Sequence, residues 1–484
     1  MTRAALLLLP LLLQAQRPLT PADSGQKPTR LIIANALVID GSGTPAAGPR
    51  DILIEDNRIA NISTSSIKAE ANDRVIDAQG KYVMPGLINL HGHIQNERSG
   101  VPMRQDFEFK IWLASGITSV RDVGSNFTTS KQLQSQSLTN SIPAPRIFLY
   151  PVFGLNPSPS AENEAAIRAR VRKIKEDGGE GIKFFEISDW AMRIMQDEAH
   201  KQGLRTAHHV RIAETNAWHD IKYGTTSIEH WYGIPDAALK DGIQDFPSTY
   251  NEQYEVDRFR YAGHLFRQAD PSKLKSVLEG MIKAGVAWDP TFNIYEASRD
   301  LLRYQHQPFF KQYLHPALEK FFAPDPNSHG SFFLNWTSGD EAEWRYNYRL
   351  WMDAVRDFAR MGGRVGVGED AGFIYNIYGF GLIRNLELLQ EAGFHPLQVI
   401  ACATSNNSKI LGKESEIGYV RTGYLADLLV IDGNPLSDFR ILYPRTDGVQ
   451  QSGKILWTIK DGVPYHAPSM AADARQIVVE ARKH

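Results

Sequence analysis

Two histidines end a hydrophobic stretch in the first quarter of the chain. Residues 83–94 read VMPGLINLHGHI, and the apolar character of this stretch predicts a buried strand. Because side chains two residues apart lie on the same face of a strand, His91 and His93 project together. Such a pair can bind a metal ion, or it can simply be two polar residues at a strand end. The rest of the chain has to decide between these interpretations.

Four more strand-like segments carry polar side chains at their ends. They are GIKFF with Lys183, LRTAHHV with His208 or His209, TTSIEHW with His230, and VGVGED with Asp370. Imidazole and carboxylate groups suit Zn²⁺ and neighbouring divalent metals. The chain has a single cysteine, Cys402, which excludes both an internal disulfide and a Cys-rich metal site. The pattern therefore favours a metal centre built from imidazole and carboxylate ligands.

Lys183 is the least expected member of this set. A protonated amine beside divalent cations would be strongly disfavoured, so the lysine has to be neutral or chemically altered. Reaction with CO2 would convert it to a carbamate, an anionic group with two oxygens that can bridge two metals. An N-carboxylated Lys183 would explain why a lysine occurs among these ligands.

The elements that position these residues read as parallel βα units. Between about 85 and 410 strand-like and helical patterns alternate, and eight such units predict an α/β fold, a (β/α)8 TIM barrel. Catalytic groups of this fold lie at the C-terminal ends of the strands, which is where the candidates fall. Two long connections, at about 231–271 and 297–360, are rich in aromatic residues. They are predicted to form either a substrate cover or an oligomer contact.

Short β-type segments occur at both ends of the chain. They lie within residues 30–84 and 412–470, and at either end they are too few for an independently stable sheet. Both ends are therefore predicted to pair into one small β-sandwich domain, with the barrel at 85–411 inserted between them.

The first sixteen residues, MTRAALLLLPLLLQAQ, differ from the rest of the chain. One early arginine, a short apolar stretch and then small and polar residues predict a secretory signal peptide over residues 1–16. A short membrane anchor is the alternative interpretation. The protein is expected to be exported, either periplasmic or secreted, with no stable membrane span.

Composition limits the classes of partner. The chain of 484 residues has 42% hydrophobic and 22% charged residues, as ordinary globular proteins do. Its formal net charge of -2 argues against a nucleic-acid-binding protein, which would show a basic patch. A small molecule or short peptide is the expected partner, and a homo-oligomer is compatible with the sequence.

The combination of these motifs resembles the amidohydrolase superfamily, in particular its imidazolonepropionase-like and prolidase-like metal-dependent hydrolases. The motifs are PGLINLHGH, Lys183, the histidine-containing strands 5 and 6, and GED at strand 8. The resemblance extends to the split β-domain and to HPLQVIACATSNNSKILG before GYLADLLVID. One departure is Asn89, because the family usually has Asp two residues before the first histidine. The presence of Asn89 puts in doubt a contact that supports a metal ligand, but it removes no metal ligand.

The resemblance implies how the ligands divide between two metal ions. His91, His93 and Asp370 would hold the more buried metal, carboxylated Lys183 would bridge, and His208 and His230 would hold the second. For strand 5, His208 is preferred because family strands read (T/V)(A/G)H there. His209 is the alternative.

By the same resemblance the protein is a hydrolase that uses two divalent metal ions, with Zn²⁺ expected. A hydroxide between the metals would attack the carbonyl of a C–N amide bond, and Asp370 would pass its proton to the leaving amine. The expected substrates are a peptide, an N-acyl amino acid or a cyclic amide.

Two other functions stay open. A mononuclear deaminase of the same superfamily would usually show H-x-x-E at strand 5 and no strand 4 lysine, whereas this chain has HHVR over 208–211 and retains Lys183. A secreted binding protein with the same barrel would lack one or more ligands, and none is missing. Metal content separates the three, with two, one and no metals per chain respectively.

Overall fold

The computed structural model describes residues 17–153, 162–211, 214–326, 328–444 and 453–483. The predicted signal peptide, residues 1–16, lies outside the described residues. The strands are β1 (Arg17–Pro18), β2 (Arg30–Val38), β3 (Ala47–Glu55), β4 (Arg58–Ser63), β5 (Arg74–Asp77), β6 (Tyr82–Pro85), β7 (Leu87–Gly92), β8 (Glu97–Arg98), β9 (Val101–Pro102), β10 (Ile117–Asp122), β11 (Arg146–Leu149), β12 (Val152–Phe153), β13 (Gly181–Phe184), β14 (Arg205–His208), β15 (Ser227–Glu229), β16 (Ala287–Asp289), β17 (Leu428–Ile431), β18 (Ile455–Lys460) and β19 (Val463–His466).

Helices separate most of the central strands and follow the last one. They are α1 (Gln105–Ala114), α2 (Phe127–Leu138), α3 (Glu164–Glu176), α4 (Asp189–Lys201), α5 (Ala217–Tyr223), α6 (Glu255–Ala262), α7 (Leu265–Gln268), α8 (Pro271–Ala284), α9 (Glu296–Arg299), α10 (Leu301–Gln305), α11 (Phe310–Tyr313), α12 (Pro316–Phe321), α13 (Ser338–Arg360), α14 (Phe380–Glu391), α15 (Pro396–Ala401), α16 (Asn407–Leu411) and α17 (Ala467–Ala481).

The central strands form a ring of parallel segments. β7, β10 and β11 pair in parallel, as do β12 to β16 in sequence order. The amide nitrogens of Glu180 and Lys183 donate to the carbonyls of Leu149 and Pro151, which joins the two sheets. The described residues thus contain a TIM-barrel-type α/β fold, as the sequence predicts.

An eighth segment closes this ring, although it forms no regular strand. Its backbone bonds to Trp288 on one side, at Arg364 and Gly366. On the other side, the amides of Leu90 and Asp370 donate to the carbonyls of Val367 and His91. This segment carries VGVGED, so it delivers Asp370 next to the histidines of β7.

Glycine is required where this segment approaches its neighbours. A side chain at Gly368 would place a Cβ 2.4 Å from Oδ2 of Asp289 and 2.5 Å from the Cβ of His91. The close approach of strands 7, 8 and 1 at the barrel mouth therefore depends on the second glycine of VGVGED.

Both ends of the chain contribute to one further sheet. Among the described residues it has nine strands, with β6 from the N-terminal part paired antiparallel to β17 from the C-terminal part. Leu31, Ile33, Val83, Leu428 and Ile459 are among its buried residues. The predicted pairing of the two ends is therefore present, whereas the sandwich arrangement and the domain bounds stay predictions.

The two long connections pack on one another over the barrel. Phe259 of the first stacks on Phe332 of the second, with ring centroids 3.8 Å apart. Trp231, which follows β15, contacts Trp344 and Trp351 of α13. Their aromatic side chains thus form a shared apolar layer.

No helix among the described residues has both the length and the apolar character needed to cross a membrane.

Candidate metal centre

His91, His93 and Asp370 meet at the mouth of the barrel. Nε2 of His93 lies 3.0 Å from Oδ1 of Asp370, and Nε2 of His91 lies 3.7 Å from the same oxygen. Their ligand atoms lie within 4.8 Å of one another, which is the spacing of a metal site. Burial opposes ionisation of Asp370, but the surrounding imidazoles hold the pKa of this carboxyl well below its usual range. An ionised carboxylate therefore faces the two predicted imidazole ligands.

His230 joins this group through an unusual backbone conformation. Its φ is 61°, and the φ of Asp370 is 47°, both in the left-handed region that residues other than glycine rarely adopt. Such conformations persist where the surroundings enforce them, and they concentrate at functional sites. The turn brings Nε2 of His230 to 3.7 Å from Oδ2 of Asp370.

Hydrogen bonds fix the imidazoles of His230 and His91 in one tautomer. The hydroxyl of Thr291 donates to the carbonyl of Pro290, so it accepts from Nδ1 of His230 at 2.5 Å. Nδ1 of His91 donates to the carboxylate of Glu229 at 2.8 Å. Both rings therefore present an unprotonated Nε2 to the centre, and that of His230 is buried without a hydrogen-bond partner among the described residues. These nitrogens fit metal ligands.

Lys183 lies within the same centre. Its Nζ is 3.4 Å from Nε2 of His91, and the side chain is 1% exposed. Burial, opposed by nearby Glu229, lowers the pKa of the Lys183 amine to about 8. At this pKa about a tenth of the amine is neutral at pH 7, far more than for an ordinary lysine, and only the neutral amine reacts with CO2.

The structure differs from the sequence-based preference for His208. The register of β13 and β14 pairs Lys183 with Ala207, so Ala207 shares the inward face with Lys183 and His208 points outward. The His208 ring stacks on Phe184, and its Nδ1 donates to Asp220 of α5 at 2.8 Å. The preference for His208 conflicts with this geometry because it relied on a motif and not on strand register.

His209, the alternative ligand, points into the barrel. Its ring centroid lies 4.5 Å from that of His230. Burial, together with the nearby His230, lowers the pKa of His209 well below its ordinary value, so the ring is neutral. The structure thus brings together His91, His93, Lys183, His209, His230 and Asp370.

Two buried charges, on Arg121 and Glu229, support His91. Arg121 on β10 donates through one nitrogen to both carboxylate oxygens of Glu229, at 2.8 and 2.7 Å, and Glu229 in turn holds His91. Arg121 and Glu229 are both fully buried. Alternation along TSVRDV and TSIEHW would have placed both side chains inside the barrel, but it does not reveal that they meet.

Asp289 on β16 lies beside this pair. Together with His91 and Glu229 it forms a second cluster of possible ligand atoms. The guanidinium of Arg121, 3.7 Å from Oδ2 of Asp289, already supplies a cation there. This cluster is therefore better described as a buried ion network than as a third metal site.

Asn89, the departure from the family pattern, bridges strands 1 and 8. Its Oδ1 accepts from the amides of His91 and Glu369, and its Nδ2 donates to the Glu369 side chain at 3.0 Å. A carboxylate at position 89 would face the carboxyl of Glu369 without a hydrogen-bond donor, whereas the Asn89 amide donates a hydrogen bond to it. The pairing with Glu369 explains why Asn is suitable here.

A circuit of ring contacts covers the centre. His93 contacts Phe373, which contacts His329. His329 contacts Phe259, and the circuit continues through Tyr295 back to His230. Both long connections contribute to this circuit, which supports their interpretation as a substrate cover.

Comparisons with known proteins identify the family of the chain. A model of the amidohydrolase family matches residues 82–245 and 348–464. A dihydroorotase of Syntrophotalea carbinolica is 38% identical over 96 residues, 19% of this chain and 21% of that protein. A 5'-deoxyadenosine deaminase of Methanothermobacter thermautotrophicus is 39% identical over 64 residues, 13% of this chain and 14% of that protein. The chain thus matches about a fifth or less of the length of these relatives.

A solved structure is similar over a longer range. A Xaa-Pro dipeptidase with methionine bound in its active site has a TM-score of 0.63, with 20% identity over 90% of this chain and 100% of that one. At this identity the likeness concerns the fold, and it agrees with the barrel described above.

Proposed function

The chain belongs to the amidohydrolase family, and we propose that it is a binuclear metal-dependent hydrolase that cleaves a C–N amide bond. The observation that carries this proposal is the convergence of two unprotonated Nε2 atoms, one carboxylate and a buried amine. Carboxylation of Lys183 explains a buried amine that lies next to an imidazole nitrogen and has no hydrogen bond to a carboxylate of the described residues. The resemblance to the family assigns the carboxylated lysine the role of a ligand shared by two metal ions.

Within this proposal, His91, His93 and Asp370 hold one metal, and His209 and His230 hold the other. Carboxylated Lys183 bridges, and Zn²⁺ is the expected ion. When bound, the two cations lower the pKa of a water molecule and polarise the substrate carbonyl.

The residues of the chain supply the proton transfer. Asp370 lies between the two groups of histidines, and its carboxylate accepts the proton of the attacking water and returns it to the leaving amine. Glu229 and Arg121 hold His91 in one orientation. The aromatic cover excludes bulk water, which strengthens the electrostatic interactions inside. Substrates are a short peptide, an N-acyl amino acid or a cyclic amide.

The test combines metal analysis with a substrate panel. Purified protein loaded with Zn²⁺ in bicarbonate buffer should bind about two metals per chain and hydrolyse at least one member of a panel of dipeptides, N-acyl amino acids and cyclic amides. Loss of activity in Asp370→Asn with retained fold would support the assignment. Two bound metals with no amide hydrolysis across the panel would contradict the proposed reaction.

A mononuclear deaminase is the second candidate, favoured by the similarity to the 5'-deoxyadenosine deaminase. One metal per chain, unmodified Lys183 and ammonia release from adenosine derivatives would establish it. The position of Lys183 beside His91 favours the binuclear hydrolase.

Export stays part of the proposal and rests on residues 1–16. N-terminal sequencing of protein recovered from the periplasm or medium should find a start near residues 16–18, and Met1 on a cytoplasmic protein would contradict it.

A further inference from the structure

The two peptide groups that precede Asp370 are held by hydrogen bonds on both sides. Toward strand 1, the amide of Glu369 donates to Oδ1 of Asn89 at 3.1 Å. The amide of Asp370 donates to the carbonyl of His91 at 2.8 Å. On the opposite side, the carbonyls of Gly368 and Glu369 accept from side-chain amides. The irregular eighth segment therefore has side-chain amides in places where a regular strand has ladder bonds.

A cluster of three buried asparagines supplies these side-chain amides. Nδ2 of Asn293, in the turn after β16, donates to the carbonyl of Glu369 and to Oδ1 of Asn376. Nδ2 of Asn385, on α14, donates to the carbonyl of Gly368 and to Oδ1 of Asn293. Nδ2 of Asn376 donates to two backbone carbonyls, one of which is that of Asn293. All three residues are buried, and each amide group uses both of its hydrogens, so the network is complete.

Asp370 requires this support because its φ of 47° lies in the left-handed region. That conformation is unfavourable for a residue with a side chain, and it persists only where the surroundings enforce it. The orientation of the Glu369–Asp370 peptide group sets this φ. Asn293 holds the oxygen of that peptide group, and the carbonyl of His91 holds its nitrogen. Release of the oxygen would let the φ relax and would move the carboxylate, which lies 3.0 Å from Nε2 of His93.

We propose that Asn293 and Asn385 are positioning residues, which fix the peptide groups before Asp370 and thereby direct its carboxylate to the metal ion and the attacking water. Asparagine suits this role because each side chain both donates to a strand 8 carbonyl and accepts within the cluster, whereas an aspartate of the same shape has no donor. The inference rests on the proposed hydrolase function for the proton transfer. The orientation of Asp370 as a metal ligand does not depend on which reaction the centre catalyses.

Metal affinity tests the inference without reference to the reaction. Asn293→Ala removes the donor to the Glu369 carbonyl and should weaken the binding of one metal ion about 10–100-fold, as loss of a group that orients a ligand does. Asn385→Ala removes the donor to the Gly368 carbonyl and should have an effect in the same range. Asn385→Ala decides the question if Asn293→Ala does not fold.

The matched control is a buried asparagine that makes no bond to strand 8. Asn347 on α13 is fully buried, and its Oδ1 accepts from the amide of Phe266 at 3.0 Å. Asn347→Ala should lower the free energy of unfolding but change the metal affinity less than about threefold. Titration with Zn²⁺ against a competing chelator in bicarbonate buffer measures the affinities. If the folded variants at 293 and 385 bind metal as tightly as this control, the positioning role is overturned, whatever the reaction proves to be.

Kinetics at saturating metal test the role in proton transfer. Asn293→Ala should lower kcat about 100-fold, as expected for a displacement of a reacting group by about 1 Å, and change KM less than about threefold. The loss should be at least about 10-fold larger for an amide with an alkylamine leaving group than for the p-nitroanilide of the same acyl group, because p-nitroaniline leaves with less need of a proton. An equal loss on both substrates, as a general loss of folded enzyme would give, overturns the role in proton transfer. If the wild-type protein binds two metals and hydrolyses no amide, the proposed function fails, and the metal affinities still decide the positioning role.

Discussion

Adjacent histidines on strand 5 are expected to respond in opposite ways to the same substitution. His209→Ala removes an imidazole that points into the barrel directly after the end of β14, beside His230. His208→Ala removes one from the outward face, where it stacks on Phe184 and donates to Asp220. His209→Ala should weaken metal binding, whereas His208→Ala should mainly lower the free energy of unfolding.

The magnitudes follow from the contacts. Alteration of an outer-shell partner alone typically weakens metal binding about 10–100-fold, so loss of a ligand in His209→Ala should weaken one metal by more than about 100-fold. His208→Ala leaves the buried carboxylate of Asp220 without its imidazole donor and removes the ring from Phe184. The loss should lower the free energy of unfolding by about 2–4 kcal/mol.

Metal titration with a competing chelator, followed by thermal unfolding of the metal-free proteins, measures both effects. His208→Gln serves as the control, because its amide can still donate to Asp220 and should restore part of the stability. Retention of two metals by His209→Ala, together with loss of one by a folded His208→Ala, would refute the assignment of strand 5.

Two further changes probe the centre and its support, and a third probes the buried Glu296, which is paired with Arg299 and Arg384. Glu229→Ala removes the carboxylate that is hydrogen-bonded to the buried guanidinium of Arg121 and leaves only Asp289, at 3.7 Å, so it should destabilise the protein by about 3–5 kcal/mol in denaturant unfolding and weaken metal binding about 10–100-fold. Lys183→Ala should lose one or both metals with partial rescue of activity by short-chain carboxylic acids, whereas Lys183→Arg should show no rescue because guanidinium cannot form a carbamate. Burial opposes ionisation of Glu296, but nearby arginines lower the pKa of this carboxyl to about 2. The ionised carboxylate therefore contributes to the free energy of unfolding above about pH 4.5, and this contribution is lost as the pH falls towards 2. In metal-free protein the stability advantage over Glu296→Gln should therefore shrink by about 3 kcal/mol across that window, and a constant difference would contradict the lowered pKa.

The barrel and the closing of the chain ends were predictable because both follow from local pattern. The alternation of strand-like and helical stretches indicates parallel βα units, and the two sets of short strands cannot be stable separately. The helix over Ala467–Ala481 was not predicted, and the eighth segment, which was predicted as a strand, is irregular. Its position in the ring depends on its bonds to Trp288 and Leu90, which are long-range contacts that a local pattern does not contain.

For the site, residue types were easier to predict than orientations. His91, His93, Lys183, His230 and Asp370 converge as expected, since strand ends of one barrel meet at one mouth. The choice within the pair at 208–209 failed to match the structure because two adjacent residues differ in face, and the face depends on register with the neighbouring strand. The partners that hold the imidazoles, such as Glu229, come from distant strands and required the three-dimensional arrangement.

The central claim is that two metals lie in this centre with carboxylated Lys183 between them. An anomalous-difference map at the absorption edge of the bound metal, from crystals of metal-loaded protein grown with bicarbonate, tests it most directly. The expected result is two peaks about 3.5–4 Å apart, one beside His91, His93 and Asp370 and the other beside His209 and His230, with carbamate density on Lys183 joining them. A single peak beside an unmodified Lys183 amine in fully active protein would contradict the binuclear centre.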